Sequence, residues 1–515
     1  MSIKKYFEGE KVSLLDLPSF MGGSKEKFTN QGKLTCLGYY RQGKEVYFFL
    51  PRSLKPTNNT GNDTLEGVHK NAAIWLYNSI NRYRERIKTG IVKEEEGNVI
   101  STSIDDETKD TLLDHFLALE DFYYRNKDLI LMIYKEAHRG YHRINWSKTV
   151  RQCTPIISVN ANGRKNVAYM EVCNERLHIH DQEELMVLFF STLNYIHQNF
   201  GYPMPRSEYY SLIGEYEFED LVENNVICPR LKAIRQQYFN DRMQELWKLL
   251  YAFYSKLDKE NDSKISDGNN NTEYLLATNF DRLFEDAIDY LISDPALSIL
   301  KRHDDNRIID HIFLGESLFG ENSKVYYIAD SKYYSPDNEI DRVSIAKQYD
   351  YARNIIQIIR DQVNKVKHYD CIDDKVAESY YNEKTHGYNV TPNFFIRPGD
   401  SNTDSFYFEH VKTEYVYQHK GRLFDRNTLF LLHYSINLNY VLEVYSKDDY
   451  QERTKIKREI EKRVKDDLRS FIEDNYYQED NPRINVPDIA YKRPGVLFEI
   501  EDQLFMVYLK NIKEL

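Results

Sequence analysis

The sequence predicts an α/β protein: a small β-rich start, a mostly helical first half, and a C-terminal half that alternates helix and strand. Three observations carry this. Two apolar runs flank Arg41-Gln42-Gly43-Lys44, a hairpin signal. Apolar residues recur at helical spacing through much of 66–260. After a polar break at 259–272 the order becomes helix, strand, strand, helix, strand. A chain of 515 residues suits about three domains of ordinary size.

In chain order, 34–40 and 45–50 are the strands of the hairpin in a β-rich region over 1–57, and 56–62 is a turn or linker. The helical region, 66–260, contains apolar helical patterns at 72–87, 111–134 and 183–199. An acidic linker at 93–110 separates the first two. Residues 156–179 lean towards strand around an Asn160-Ala161-Asn162-Gly163 turn, and 216–257 reads as one long helical arm. The polar stretch 259–272 marks a domain boundary. Beyond it, Phe280, Leu283, Phe284, Ala287, Ile288 and Leu291 form a helical stripe behind a capping-box-like Thr278-Asn279-Phe280-Asp281. Strands are expected at 307–314 and 324–329, joined through 320–323. A helix follows from Ile345 to Ile359, then strand or buried-helix segments at 391–396 and 429–444. An α/β domain therefore covers 273–445. An amphipathic helix at 451–472 and a tail hairpin at 495–509 occupy 446–515.

Composition narrows the function classes. Lys and Arg number 69 and Asp and Glu 81, a net charge of −12. That excludes a uniformly basic coat for nucleic acid, but not a local basic cleft. The 5 cysteines are scattered without a CxxC pair, which excludes a zinc ribbon and suits a reducing compartment. The first twenty residues lack an apolar core of the signal-peptide kind. No apolar run approaches the roughly 18 residues of a membrane span. A cytoplasmic protein without a membrane partner is expected.

One segment carries chemistry. In 325–334 an apolar strand ends in Asp330, then Ser331, then Lys332. Residues two apart on a strand share a face, so Asp330 and Lys332 project together. Asp310 lies one strand earlier and converges with Asp330 if the strands are neighbours. Two carboxylates suit Mg²⁺, a hard cation that prefers oxygen ligands. A lysine beside them can orient water or stabilise charge on phosphate oxygens. An Asp-x-Lys triplet is also a common surface ion pair. The buried strand before it and the upstream acid are what favour phosphodiester hydrolysis. Glu285, at the edge of its helix stripe, and Gln348, in one helix row with Ile345 and Ala352, are supporting candidates. Taken alone, each is more readily an ordinary helix-border residue.

These residues bear a resemblance. Asp330-Ser331-Lys332-Tyr333-Tyr334, followed by Asp341 and Ile345-Ala346-Lys347-Gln348-Tyr349-x-Tyr351, resembles the nuclease core of LlaJI-type restriction endonucleases. Phe284-Glu285 resembles that family's acidic first helix, Ile309-Asp310 stands where it has Pro-Asp, and Ile144 to Val150 looks like its Trp-x-Arg-Thr segment. The likeness spans about 140–400. It implies a PD-(D/E)xK core, a mixed central sheet flanked by helices, with Mg²⁺ as cofactor. The implied activity is cleavage of double-stranded DNA in a restriction system. Carried over residue by residue, Glu285, Asp310, Asp330, Lys332 and Gln348 form the site, with Asp310 and Asp330 on the metal. Ile309 replaces a proline, Ser331 an alanine, and Ser344 an acid. Asp304 or Asp305 takes the place of Asp310 if the register is shifted. Such McrC-like nucleases often work with an McrB-like AAA+ GTPase. This chain has no Gly-x-x-x-x-Gly-Lys-Ser/Thr loop, so the motor would be a separate polypeptide.

DNA contacts are expected at Trp146, Lys148 and Arg151, where positive charge accompanies an aromatic; a core Trp with solvated charges is the competing reading. His178 and His180 share a strand face and, lacking two further ligands, read as a polar strand end. Two other functions stay open: a catalytically silent, nuclease-like scaffold that binds DNA or tethers a motor, and an antiviral nuclease acting on RNA or modified phage DNA.

Overall fold

The computed structural model describes residues 3–11, 29–30, 33–55, 67–92, 100–102, 110–130, 133–138, 143–180, 182–267, 272–301, 308–317, 320–334, 338–363, 372, 391–399, 405–415, 430–479, 497–501 and 503–509. The chain is a mixed α/β protein with several sheets. Among the described residues no helix is long and apolar enough to cross a membrane.

The first sheet contains Lys4–Phe7 (β1), Leu37–Gln42 (β4) and Glu45–Leu50 (β5), while Thr29–Asn30 (β2) and Lys33–Leu34 (β3) form a separate short ladder. Strands β4 and β5 form the expected hairpin, Gln42 opposite Glu45. The turn glycine Gly43 has φ of +60°, a conformation that costs glycine little. The sheet is completed by Ile100–Thr102 (β6) and by Thr272–Ala277 (β12), which pairs along β4 from Gln42 to Leu37. The strand after the polar break therefore lies in the N-terminal sheet. Helix Val68–Lys88 (α1) packs on that sheet.

The helical region departs from its sequence reading in three places. Residues 111–134 are not one helix: Leu112–Arg125 (α2) and the short Lys127–Ile130 (α3) are followed by strand Ile133–His138 (β7). Asn126 is the break; its side chain bonds back to Phe122 O at 3.0 Å and closes the last turn of α2. The supposed arm at 216–257 is three helices, Glu215–Glu223 (α6), Ile227–Ile234 (α7) and Asp241–Asp267 (α8). Asn225 takes a positive φ of 55° between the first two. Helix α8 runs on to Asp267, into the polar stretch read as linker, because helix continuation needs no apolar face once the earlier turns are packed. Between lie Arg143–Ile144 (β8), Trp146–Gln152 (α4), Pro155–Val159 (β9), Lys165–Tyr169 (β10), Asn174–Ile179 (β11) and Glu184–Phe200 (α5). Strands β9 and β10 are a hairpin turned at Asn160–Gly163, and β7, β11 and β8 form a separate three-stranded sheet.

The C-terminal half is built on a five-stranded mixed sheet in the order β13-β14-β15-β17-β16. These are His311–Ser317 (β13), Gly320–Ser331 (β14), Asn393–Pro398 (β15), Phe408–Tyr415 (β16) and Phe430–Ile436 (β17). The outer pairs are antiparallel and the inner ones parallel. Residues 320–323, read as a turn, belong to β14. Helix Phe280–Ile292 (α9) forms as its apolar stripe requires, but Asn279 is its N-cap without a side-chain capping bond. Helix Leu438–Lys447 (α11) packs against α9, and helices α9 and Tyr450–Asn475 (α12) cover the face bearing Phe313, Tyr327, Phe394 and Tyr434. Helix Arg342–Val363 (α10) covers the other, where Tyr349 packs with Phe395 and Leu431. The tail forms Tyr476–Glu479 (β18), Leu497–Glu501 (β19) and Gln503–Leu509 (β20).

The two halves share one core. Helix α1 packs along α11, Ser79 Oγ donates to Leu442 O at 3.2 Å, and Arg86 pairs with Asp286 of α9 at 2.9 Å. Tyr445 OH donates to the same carboxylate at 2.5 Å.

Candidate active site

The site is made by strand ends. Val325 to Ala329 are all buried, as a strand covered on both faces requires. Asp330 is the first charged residue after this run. The antiparallel register pairs His311 with Ala329, so Asp310, one residue before β13, comes opposite Asp330. The parallel register pairs Asp330 with Phe395 and Ser331 with Ile396. Lys332 N–H then donates to Ile396 O at 2.9 Å, which brings Lys332 level with Arg397.

Four of the expected residues meet here. Lys332 Nζ lies 2.7 Å from Asp330 Oδ1. Asp310 and Asp330 interact directly through their carboxyl groups. Burial, then the charges of Asp330 and Glu285, push the Asp310 carboxyl well above the usual range, and Lys332 only partly offsets them. Glu285, reaching in from α9, is raised as well: burial leads, His311 and Arg282 oppose it, and Asp330 adds to it. Burial works against the Lys332 ammonium, yet Asp330 and Asp310 outweigh it and hold the proton on. The cluster carries more negative than positive charge.

Gln348 is placed differently. It lies on the same side of the sheet, fully buried, and its amide donates to Asn393 Oδ1 at 2.8 Å while Asn393 Nδ2 donates to Gln348 O at 3.1 Å. Asn393 pairs with Ile328, two residues before Asp330, so this amide pair sits behind the carboxylates. Asp341 caps α10 through Ser344, whose N–H and Oγ each contact it at 2.8 Å. Asp304 and Asp305 lie outside the described residues.

The sequence reading passed over a neighbour. His311 is fully buried, its Nδ1 lies 3.2 Å from Asp289 Oδ1, and its Nε2 has no hydrogen-bond partner among the described residues. Despite burial, His311 and Lys301 hold the Asp289 carboxyl far below the ordinary range. Lys301 Nζ also donates to Asp310 O at 2.7 Å. The available signal was adjacency: His311 directly follows Asp310. On the other side, Tyr333 packs its ring 4.8 Å from Phe280 and donates from OH to Glu8 at 2.7 Å. The N-terminal region thus touches the residue after Lys332.

The residues suit a small divalent cation. Two acidic oxygen donors converge with a third acid, Glu285, nearby, and Lys332 is the one ammonium set against the pair. Among the described residues no group of three or more His, Cys, Asp or Glu is arranged to hold a metal. A cation here would complete its shell with water, as Mg²⁺ commonly does.

Trp146, Lys148 and Arg151 lie on α4. Trp146 is 59% exposed, with Tyr169 edge-on at 6.5 Å, so it is not a core residue. The His178 side chain lies outside the described residues.

No family model matches the chain, and no curated protein matches it. Among solved structures it is similar to one described as a refined half-complex from a tetradecameric assembly of Thermococcus gammatolerans McrB AAA+ hexamers with bound McrC. The identity is 8%, the TM-score 0.27, and the match covers 87% of this chain and 99% of that one. A TM-score this low does not define a common fold.

Proposed function

We propose that this chain is a Mg²⁺-dependent endonuclease with a PD-(D/E)xK-type core. It hydrolyses phosphodiester bonds of double-stranded DNA as the nuclease subunit of a restriction system, with an McrB-like AAA+ GTPase on another polypeptide. The observation that carries the reading is the convergence of Asp310, Asp330 and Lys332 at adjacent strand ends of a mixed sheet. The motor partner rests on the resemblance of Asp330 to Tyr351 and its upstream segments alone.

Asp310 and Asp330 would hold the metal, which supplies positive charge to the scissile phosphate. Lys332, kept protonated by the two acids, donates to a phosphate oxygen or to the attacking water. Glu285, within the field of Asp330, would hold a water beside the metal. Asp289 orients His311 through Nδ1, and the imidazole lies near enough to Glu285 to oppose the rise of its carboxyl.

The test is cleavage of methylated and unmethylated mixed-sequence duplex with Mg²⁺, with and without the partner NTPase and GTP. Wild type is compared with Asp330→Asn and Lys332→Ala. Cutting by wild type that both substitutions abolish supports the reading. Equal cutting by all three refutes it. Failure on duplex DNA but cleavage of RNA moves the substrate assignment.

A further inference from the structure

The nuclease reading leaves one cation unused. Arg397 closes β15 as Asp330 closes β14: the run Asn393-Phe394-Phe395-Ile396 is buried, and a charge follows it. By register it is level with Lys332, and two residues past Phe395, the partner of Asp330. Residues two apart share a face, so Arg397, Lys332 and Asp330 lie on one side of the sheet.

Arg397 is only 6% exposed. Its one hydrogen bond among the described residues runs from Nη1 to Asn338 O at 2.8 Å, and none of their carboxylates lies within ion-pair distance. Burial disfavours its charge and the field of Glu414 favours it. Glu414 instead faces His433, with Oε2 3.5 Å from Nε2, and pairs with Lys412. A guanidinium does not give up its proton. A nearly buried one with no carboxylate of the described residues at ion-pair distance is suited to receive an anion from outside. The planar fork of N–H donors matches phosphate oxygens better than any other side chain does.

We propose that Arg397 binds a backbone phosphate of the DNA strand being cut, beside the one that Lys332 serves. Adjacent strands lie about 4.8 Å apart, so the two cations form a short rail along the ends of β14 and β15. This deepens the nuclease reading and rests on it. Arg397 is a phosphate-binding residue, and the carbonyl of Asn338 orients its fork.

The experiment uses the full chain and a short duplex. Binding is followed by fluorescence anisotropy over a salt series with Ca²⁺ in place of Mg²⁺, and cleavage is then measured with Mg²⁺ under conditions where wild type cuts. Arg397→Met is expected to reduce the slope of log affinity against log salt by about one and to slow cleavage by roughly a hundredfold. Arg397→Lys should keep the slope and lose only part of the rate. Thermal melting of both variants separates folding from binding. Unchanged slope and rate in a folded Arg397→Met variant overturn the assignment. So do lowered melting temperatures with the wild-type slope, which would mark Arg397 as a strut for the Asn338 loop. If wild type itself neither binds nor cuts nucleic acid, the nuclease reading falls and Arg397 with it.

Discussion

Lys332→Met should weaken the fold in a way that a divalent cation repairs. The ammonium is 23% exposed and the Asp330 side chain 7%, with 2.7 Å between them. Removing one partner of a buried pair costs about 3–5 kcal/mol, chiefly because the other charge stays buried. Lys332's partial exposure lets solvent screen some of this, which brings the expectation to about 2–3 kcal/mol. At roughly 2–4 °C per kcal/mol for a unit of 150–250 residues, melting should fall by about 4–12 °C in EDTA. Asp310 is already pushed up by burial and by the charges of Asp330 and Glu285, and Glu285 by burial and by Asp330, with Lys332 opposing both. Without the lysine, a cation at the carboxylates gains more. A metal at a hundredfold excess over its dissociation constant contributes about 2.7 kcal/mol. Magnesium should therefore raise the melting temperature of the variant at least as much as that of wild type. The control is Arg282→Met, whose partner Glu285 is 3.3 Å away in a half-exposed pair; such pairs are worth under about 1 kcal/mol. Thermal unfolding in EDTA and in Mg²⁺ decides. Wild-type stability of Lys332→Met in EDTA, or an equal Mg²⁺ response in Lys332→Met and Asp330→Asn, would refute the charge argument.

Three further outcomes are expected. Burial lowers the His433 pKa from 6.5 to about 4, against the pull of Glu414. The unfolded chain therefore binds the proton more readily, and stability is lost as pH falls from about 6.5 to about 4, by at most about 3 kcal/mol. Urea unfolding should show that acid limb flattened in His433→Gln; an unchanged limb assigns it elsewhere. Burial raises the Glu8 pKa, and the Tyr333 hydrogen bond restrains that rise. Tyr333→Phe should thus cost about 1–3 kcal/mol at neutral pH and progressively less as the pH is lowered, because the bond favours the ionised carboxylate; a loss independent of pH defeats this. Replacing Lys148 and Arg151 together with Ala should lower the salt slope of duplex binding by up to about two while leaving cleavage at saturating DNA unchanged. An unaltered slope removes α4 from the DNA surface.

Legibility followed the range of the forces involved. Helices α1, α5, α9 and α12 announce themselves because an apolar stripe every three to four residues is a local pattern. Strands β4, β5 and β14 do so because a buried run between polar turns is local too. The misreadings share one cause. The break at Asn126, the turn at Asn225 and the extension of α8 past residue 259 depend on single side-chain bonds and packing that a periodicity does not contain.

By itself the sequence determined that an apolar strand ends in Asp330 and Lys332, and that alternation puts both on one face. The tertiary structure alone decided what stands opposite. Asp310 reaches Asp330 through an antiparallel register, Glu285 through the packing of α9, and Arg397 through a parallel register across more than sixty residues of chain. It also turned Gln348 to Asn393 and linked Tyr333 to the N-terminal Glu8. Faces within one strand follow from covalent geometry. Which strands become neighbours follows from burying the whole sheet at once, a sum over many distant residues that no single motif encodes.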